Sequence, residues 1–168
     1  MGDKVGLRLY KNQKVAIDYF RVSQASSYNN NNNNNNNYVS KTILFEGFNN
    51  NNNNWQNVNN SNAEVYLSSG NLYVENKSKN AGWAPTISKT IDTSRDYYIT
   101  AQFKHVSGIT NNGFGLVFNR QDSNNENSFF ITATGSYIVS QSVNGNRQYL
   151  QNWTKSSSIK TGTNQINF

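Results

Sequence analysis

The side chains that could perform acid–base chemistry are few and scattered along the chain. Nine carboxylates, one histidine and no cysteine occur among 168 residues. A glycosidase needs two carboxylates that flank one bond, about 5–10 Å apart. Asp122 and Glu126 lie close together, but their surroundings are polar and typical of a turn. The sequence therefore predicts no catalytic residues.

The absence of cysteine and the single histidine also limit which metal sites and nucleophiles the chain can form. The absence of cysteine excludes disulfides, thiolate metal sites and a cysteine nucleophile. His105 is the only histidine, so a histidine-based metal site is excluded as well. A Ser-His-Asp triad stays open, but no nucleophile motif accompanies His105. We expect a strand histidine that faces solvent or a neighbouring tyrosine.

Aromatic side chains are the better candidates for a binding site, since they make up 13% of the chain. A carbohydrate needs an aromatic face for its C–H surface, bordered by amide, guanidinium or carboxylate groups for its hydroxyls. Trp83, in a loop, is the best single candidate, although a tryptophan more often lies in a core or at a sandwich rim. The full set of predicted ligand-binding residues is Trp83, Trp55, Trp153, Tyr137, Tyr149, Asn119, Arg120 and Gln148.

Charge and hydropathy exclude two further classes of partner. The net charge is +6, but the basic residues are spread singly and form no run of five or six. This distribution predicts a solvated surface rather than specific nucleic-acid binding. No apolar stretch reaches the roughly 18–20 residues of a membrane span.

These side chains must be positioned by short runs in which apolar and polar residues alternate, separated by residues that favour turns. Apolar residues alternate over 5–9 and again over 15–22, which predicts a hairpin that turns at Lys11-Asn12. Asn144-Gly145 predicts a second hairpin, because both residues tolerate positive φ. Residues 84–91 are a candidate edge strand, and no segment has a helical period. The fold class is therefore all-β, an antiparallel sandwich or barrel.

Two asparagine tracts interrupt this pattern, nine residues at 29–37 and six at 49–54. Such tracts cannot bury apolar surface. The first is predicted to be a linker and the second a surface loop between Phe48 and Trp55.

The order of several motifs resembles that of a known family. The segment 113–122 is followed by Phe129-Phe130-Ile131, Gly135-Ser136-Tyr137, Val143-Asn144-Gly145 and Trp153-Thr154. This order resembles concanavalin A-like lectin and glucanase modules, related to laminin-G-like and 3-keto-disaccharide hydrolase domains. The resemblance covers about residues 42–168 and implies a jelly-roll sandwich. Such folds host lectins, adhesins and hydrolases alike. No cofactor is predicted; the resemblance allows a calcium ion through Asp122, Asn124 and Glu126.

The resemblance also implies a division of the chain. Residues 1–23 resemble the closing strands of a module, residues 24–41 form an asparagine-rich linker, and residues 42–168 form the concanavalin-like sandwich. This order suggests a tandem array cut out of phase or a circular permutation. The N-terminal hairpin would complete a sheet in the same chain or in a neighbouring copy.

These features lead to a functional expectation. The chain is expected to be a non-catalytic, lectin-like or adhesion module of a repetitive extracellular or cell-surface protein, with a glycan or other copies of itself as partners. The alternative is a structural repeat that assembles into a homopolymeric filament by strand donation through residues 1–23. The third hypothesis is a glycoside hydrolase.

Overall fold

The computed structural model describes residues 2–25, 40–79, 82, 86–88, 91–92, 94–162 and 165–167. Within these ranges the chain forms strands and no helix, arranged in two antiparallel sheets. The predicted all-β antiparallel sandwich is confirmed. No helix capable of crossing a membrane occurs in the described part of the chain.

The strands, in chain order, are β1 (Lys4–Leu9), β2 (Gln13–Ala25), β3 (Ser40–Glu46), β4 (Val58–Asn59), β5 (Ala63–Ser68), β6 (Asn71–Asn76), β7 (Thr86–Ser88), β8 (Tyr97–Gly108), β9 (Phe114–Arg120), β10 (Glu126–Ile131), β11 (Ser136–Val143), β12 (Asn146–Lys155) and β13 (Gln165–Asn167). One sheet has six strands in the order β12-β11-β10-β9-β1-β7. The other has seven, in the order β13-β8-β2-β6-β5-β4, with β3 also paired to β2. Strand β7 lies at an edge, as predicted for residues 84–91.

The inward faces of both sheets bury one continuous apolar core. Strand alternation places every second side chain on this face. The six-stranded sheet contributes Val5, Leu7, Leu9, Phe114, Leu116 and Ile131, and the seven-stranded sheet contributes Val15, Ile17, Phe20, Val22, Val65, Leu72, Val74, Ala101 and Phe103. Residues of segments 1–23 and 42–168 therefore share this core.

The two N-terminal strands do not form the predicted hairpin. Strand β1 lies between β9 and β7 in one sheet, whereas β2 lies between β8 and β6 in the other. The connection turns at Asn12, whose φ is 45°, and Gln13 Nε2 donates to the carbonyl oxygens of Tyr10 and Gly113. The hairpin prediction is wrong because alternation shows that each strand buries one face but does not show which strand it pairs with.

The second asparagine tract forms a surface loop, as predicted, and its amides organise the return of the chain into the core. Asn51 Oδ1 accepts from the Trp55 backbone N–H at 2.7 Å, while Asn51 Nδ2 donates to the Trp55 carbonyl at 2.9 Å. Asn53 donates to the buried Glu46 carboxylate at 2.9 Å. These side-chain hydrogen bonds satisfy the backbone where no strand partner is present. The first tract, residues 29–37, lies outside the described residues.

Candidate functional site

The register of four neighbouring strands identifies which side chains share the outer face of the six-stranded sheet. Ser128 on β10 pairs with Val117 on β9 and with Ser140 on β11. Ser140 in turn pairs with Tyr149 on the edge strand β12. Residues directly opposite in antiparallel strands project from the same face. Leu116, one residue from Val117, points the other way, into the main core.

This outer face carries a second apolar cluster, separate from the main core. Val117, Phe130 and Ile138 are buried there, and Tyr10 packs against them. The rings of Tyr10 and Phe130 meet edge to face, with centroids 5.2 Å apart and an interplanar angle of 80°. The six-stranded sheet is therefore apolar on both faces, although only one face meets the other sheet.

A groove of about 300 Å³ opens above this cluster. Its two most exposed aromatic walls are Tyr149, at 58% exposure, and Trp153, at 47%. Gly113 leaves the space between them and Tyr10 open, since a Cβ atom there would lie only 3.2 Å from Trp153 Cη2. The lining residues are Tyr10, Lys11, Asn111, Asn112, Gly113, Phe130, Ile138, Ser140, Arg147, Tyr149 and Trp153.

The turn and two irregularities of β12 bring Tyr149 and Trp153 to the groove. Asn144 and Gly145 have φ values of 51° and 79°, so the predicted two-residue turn between β11 and β12 is confirmed. The pairing register changes between the pairs Ser140–Tyr149 and Val139–Gln151, and it changes again between Gln151 and Thr154. As a result, Gln151 lies opposite the inward-facing Val139, while Tyr149 lies on the outer face.

A buried carboxylate, that of Glu126, pairs with three arginines, one of which, Arg147, lines the groove. The Glu126 side chain is 1% exposed, and its carboxylate accepts a hydrogen bond from each terminal nitrogen of Arg8, one of them at 2.9 Å. Arg120 Nε donates to it at 3.1 Å. Arg147 Nη2 lies 3.8 Å from it, beyond hydrogen-bonding distance. A carboxylate in such a buried place requires paired cations, and a bidentate arginine matches its geometry.

Arg147 connects this cluster to the groove wall. Its Nη1 donates to the Tyr10 hydroxyl at 2.7 Å, and its Nε donates to Ser142 Oγ at 3.3 Å. These contacts fix the guanidinium plane beside the aromatic rings. A guanidinium carries five N–H groups, so donors stay available on its groove side.

Of the seven predicted ligand-binding residues that the structure describes, two meet in this groove, namely Tyr149 and Trp153. The prediction of a ligand platform at Trp55 is wrong, because its side chain is 2% exposed and packs against Phe20 and Phe48. Tyr137 stacks with Phe129 on the inward face, with ring centroids 5.9 Å apart. Both rings are used for packing between the sheets.

The four other predicted residues are dispersed. Gln148 pairs with Gln141 on the face opposite to Tyr149. Asn119 has a φ of 48° and accepts a hydrogen bond from the Tyr97 hydroxyl. Arg120 is engaged by Glu126. Trp83 lies outside the described residues.

The carboxylates near the β9–β10 connection are directed to structural partners. Asp122 Oδ1 accepts from the backbone N–H groups of Asn124 and Asn125 at 2.7 and 2.9 Å, which confirms its predicted turn role. The Asn124 hydrogen bond is the main cause that lowers the Asp122 pKa. Glu126 turns away toward the arginines, so the calcium set that the resemblance allows does not converge. Within the described ranges, no three His, Asp or Glu side chains form a metal-binding group.

His105 is not exposed, contrary to expectation. Its side chain is 2% exposed, and its ring lies 6.0 Å from that of Phe114, between the sheets. Burial lowers the pKa of His105 below its ordinary value of 6.5. Its β8 position pairs with Val15, whose side chain belongs to the core, and this pairing determines the inward orientation.

Tyr10, Arg147 and Asn112 are groove residues that the sequence does not reveal. Tyr10 lies in the predicted hairpin, and 137 positions separate it from Arg147, to which it is hydrogen bonded. Asn112 sits in the connection before β9 and donates to the Lys11 carbonyl at 3.0 Å. Comparison with known proteins adds no analogue for this site, since no family model, curated protein or solved structure matches the chain.

Proposed function

We propose that this chain is a non-catalytic carbohydrate-binding module and that its ligand site is the groove over the six-stranded sheet. The observation that carries the proposal is the exposure of Tyr149 and Trp153 on one groove wall beside the fixed guanidinium of Arg147. Aromatic faces accept the C–H surface of a pyranose ring, while guanidinium and amide groups bind hydroxyls.

The size and composition of the groove agree with a small saccharide unit. Its volume of about 300 Å³ lies at the lower end of the roughly 300–1,000 Å³ typical of ligand pockets. Its lining combines apolar surface at Phe130 and Ile138 with several polar side chains, including Asn111, Asn112 and Arg147. Apolar surface together with hydrogen-bonding groups suits a sugar ring and its hydroxyls.

The groove lining provides no support for hydrolysis as the main activity. Among the described residues that line it, none carries a carboxylate, whereas glycoside hydrolysis usually requires two. Glu126, which lies 3.8 Å from the lining residue Arg147, is engaged by Arg8 and Arg120. A non-catalytic, lectin-like module therefore agrees best with the site. We extend the proposal to a cell-surface or extracellular location, as expected from the sequence.

Assembly by strand donation finds less support in this structure. Strands β1 and β2 occupy internal positions in the two sheets of the same chain. The long edge strand β12 contains two register shifts, and such bulges twist an edge away from a further strand. We therefore give carbohydrate binding precedence over a filament.

The test is a glycan-array screen followed by calorimetry with the strongest ligand. We expect Trp153→Ala and Tyr149→Ala each to weaken binding about tenfold or more, since stacking an aromatic face contributes about 1–3 kcal/mol in related ring contacts. Tyr98→Ala is the matched control, because Tyr98 is 59% exposed on the other sheet, and it should bind as the parent does. Equal affinity of all three folded variants would refute the groove as the binding site.

A further inference from the structure

We infer that the groove selects anionic carbohydrates, meaning sugars that carry a carboxylate or a sulfate, over neutral ones. This inference rests on the proposed carbohydrate-binding function and specifies its ligand. It starts from an imbalance of charge: three guanidinium groups surround the single carboxylate of Glu126. Lys11 adds a further cation to the lining.

The Glu126 carboxylate accepts its three hydrogen bonds from only two of the three arginines. Arg8 donates to both of its oxygens, and Arg120 donates to Oε2. Their side chains are 11% and 18% exposed, so they belong to the interior of the cluster. The nearby Asp122 is fully exposed and interacts with Arg120 through solvent, where salt screens the attraction. Glu126 pairs with Arg147 only at 3.8 Å, so three guanidinium groups and one carboxylate leave an excess of positive charge beside the groove.

Among the three arginines, Arg147 is the one that a ligand can reach. Its side chain is 33% exposed, the most of the three arginines. The Tyr10 hydroxyl and Ser142 Oγ orient it, and its Nη2 has no carboxylate oxygen closer than 3.8 Å. A guanidinium held in one orientation binds a carboxylate or sulfate through two parallel hydrogen bonds, with little loss of side-chain entropy.

The surroundings favour an anion on a sugar over a nucleic-acid backbone. A strand of nucleic acid needs a continuous positive track along which several phosphates lie. Here a groove of about 300 Å³ offers two reachable cations, Arg147 and Lys11, beside the exposed rings of Tyr149 and Trp153. One anion beside two stacking surfaces matches a uronic acid or a sulfated sugar unit.

The experiment compares each anionic probe with its closest neutral counterpart. We would titrate the protein with digalacturonic acid and its methyl ester, and with galactose 6-sulfate and galactose, by calorimetry or saturation-transfer NMR. We expect each anionic probe to bind at least about tenfold more tightly than its neutral partner at low salt. The preference should decline as salt rises from 50 to 500 mM, because the charged wall is partly exposed.

Variants separate the inference from the function on which it depends. Arg147→Gln should reduce the preference for the anionic probe severalfold while leaving weak binding of the neutral one, with Lys11 as the remaining cation of the lining, and Arg147→Lys should keep more of the preference. Arg21→Gln is the control, since Arg21 lies over Phe45 on the other sheet. Unfolding midpoints of all variants would show that each is folded.

Each outcome has a defined meaning. Equal binding of anionic and neutral probes would overturn the charge preference and leave carbohydrate binding intact. Failure of every sugar to bind the unmutated chain would overturn both proposals. Binding of a thymidine oligonucleotide in preference to all sugars, lost in Arg147→Gln, would replace them with a nucleic-acid site.

Discussion

The outer faces of the two sheets carry the same kinds of side chain but combine them differently. On the seven-stranded sheet, Tyr66 and Tyr73 stack with centroids 5.0 Å apart, and Lys14 Nζ lies 5.0 Å from the centroid of the Tyr66 ring. Glu64 and Glu75 lie 3.6 and 3.4 Å from the same ammonium. In this cluster Lys14 pairs with both carboxylates, and the rings of Tyr66 and Tyr73 stack on one another.

The six-stranded sheet has the opposite balance. One carboxylate, that of Glu126, faces three guanidinium groups, and Tyr149 and Trp153 are each about half exposed. The difference arises from register. Lys14 pairs with Glu75, which itself pairs with Glu64, so opposite charges are direct cross-strand neighbours. The comparison teaches that composition alone does not distinguish a self-satisfied surface cluster from a surface that can accept a ligand.

The variant with the largest expected effect on stability removes the central carboxylate from the six-stranded sheet. Glu126→Gln leaves Arg8, Arg120 and Arg147 without a counterion, and breaking a buried pair costs about 3–5 kcal/mol. We expect a loss of that size in the free energy of unfolding, measured by urea titration. Glu75→Gln on the other sheet is the control and should cost about 1 kcal/mol or less. Similar losses for both variants would refute the contrast.

A second prediction concerns the core that both sheets share. The lowered pKa of His105 means that, below pH about 6.5, the unfolded chain takes up a proton that the folded chain does not. Stability is therefore fully present above that pH and falls as the pH drops toward the folded pKa, by at most about 1.4 kcal/mol per unit for one proton.

The measurement compares the parent chain with His105→Phe between pH 7.5 and 5.5. In the variant, the free energy of unfolding should lack the part of the pH dependence that comes from His105, whereas the carboxylates affect both chains alike. Because His105 is the only histidine, its ring resonance in NMR reports the folded pKa directly. A folded pKa at or above 6.5 would contradict the prediction.

The smallest expected effect is on the seven-stranded sheet. Lys14→Met leaves the paired residues Glu64 and Glu75 in like-charge contact, yet both are partly exposed. Burial alone lowers the pKa of Lys14, but the Tyr66 hydroxyl and the Glu75 carboxylate together raise it above its ordinary value. We expect a loss of about 1 kcal/mol or less in thermal unfolding, reduced further by salt. No change in glycan binding should accompany it.

The candidate site was predictable only where local rules determine it. The Asn144-Gly145 turn places the start of β12 beside β11, and the amphipathic run after it predicts an aromatic edge. Simple alternation would place Tyr149, Gln151 and Trp153 on one face. The bulges in β12, which no local residue signal marks, turn Gln151 to the other face and keep the two aromatic rings at the groove.

Residues assigned to the site by type alone had other uses in the fold. Trp55 fills the core because Asn51 closes the preceding loop and directs it inward. Arg120 neutralises Glu126, a partner six positions away in sequence but on the neighbouring strand. A side chain's chemical type shows what it can bind, whereas its register determines whether the protein or a ligand occupies it.

The sequence by itself determined that this chain forms strands, where several turns lie, and which face of many strands is apolar. These properties depend on the two-residue period of strands and on the φ preferences of asparagine and glycine, both of which are local. Only the tertiary structure decided that β1 and β2 enter different sheets and that Tyr10 meets Arg147 across 137 positions. The physical reason is that an apolar face is satisfied by any complementary face, and the choice among partners depends on packing of the whole core.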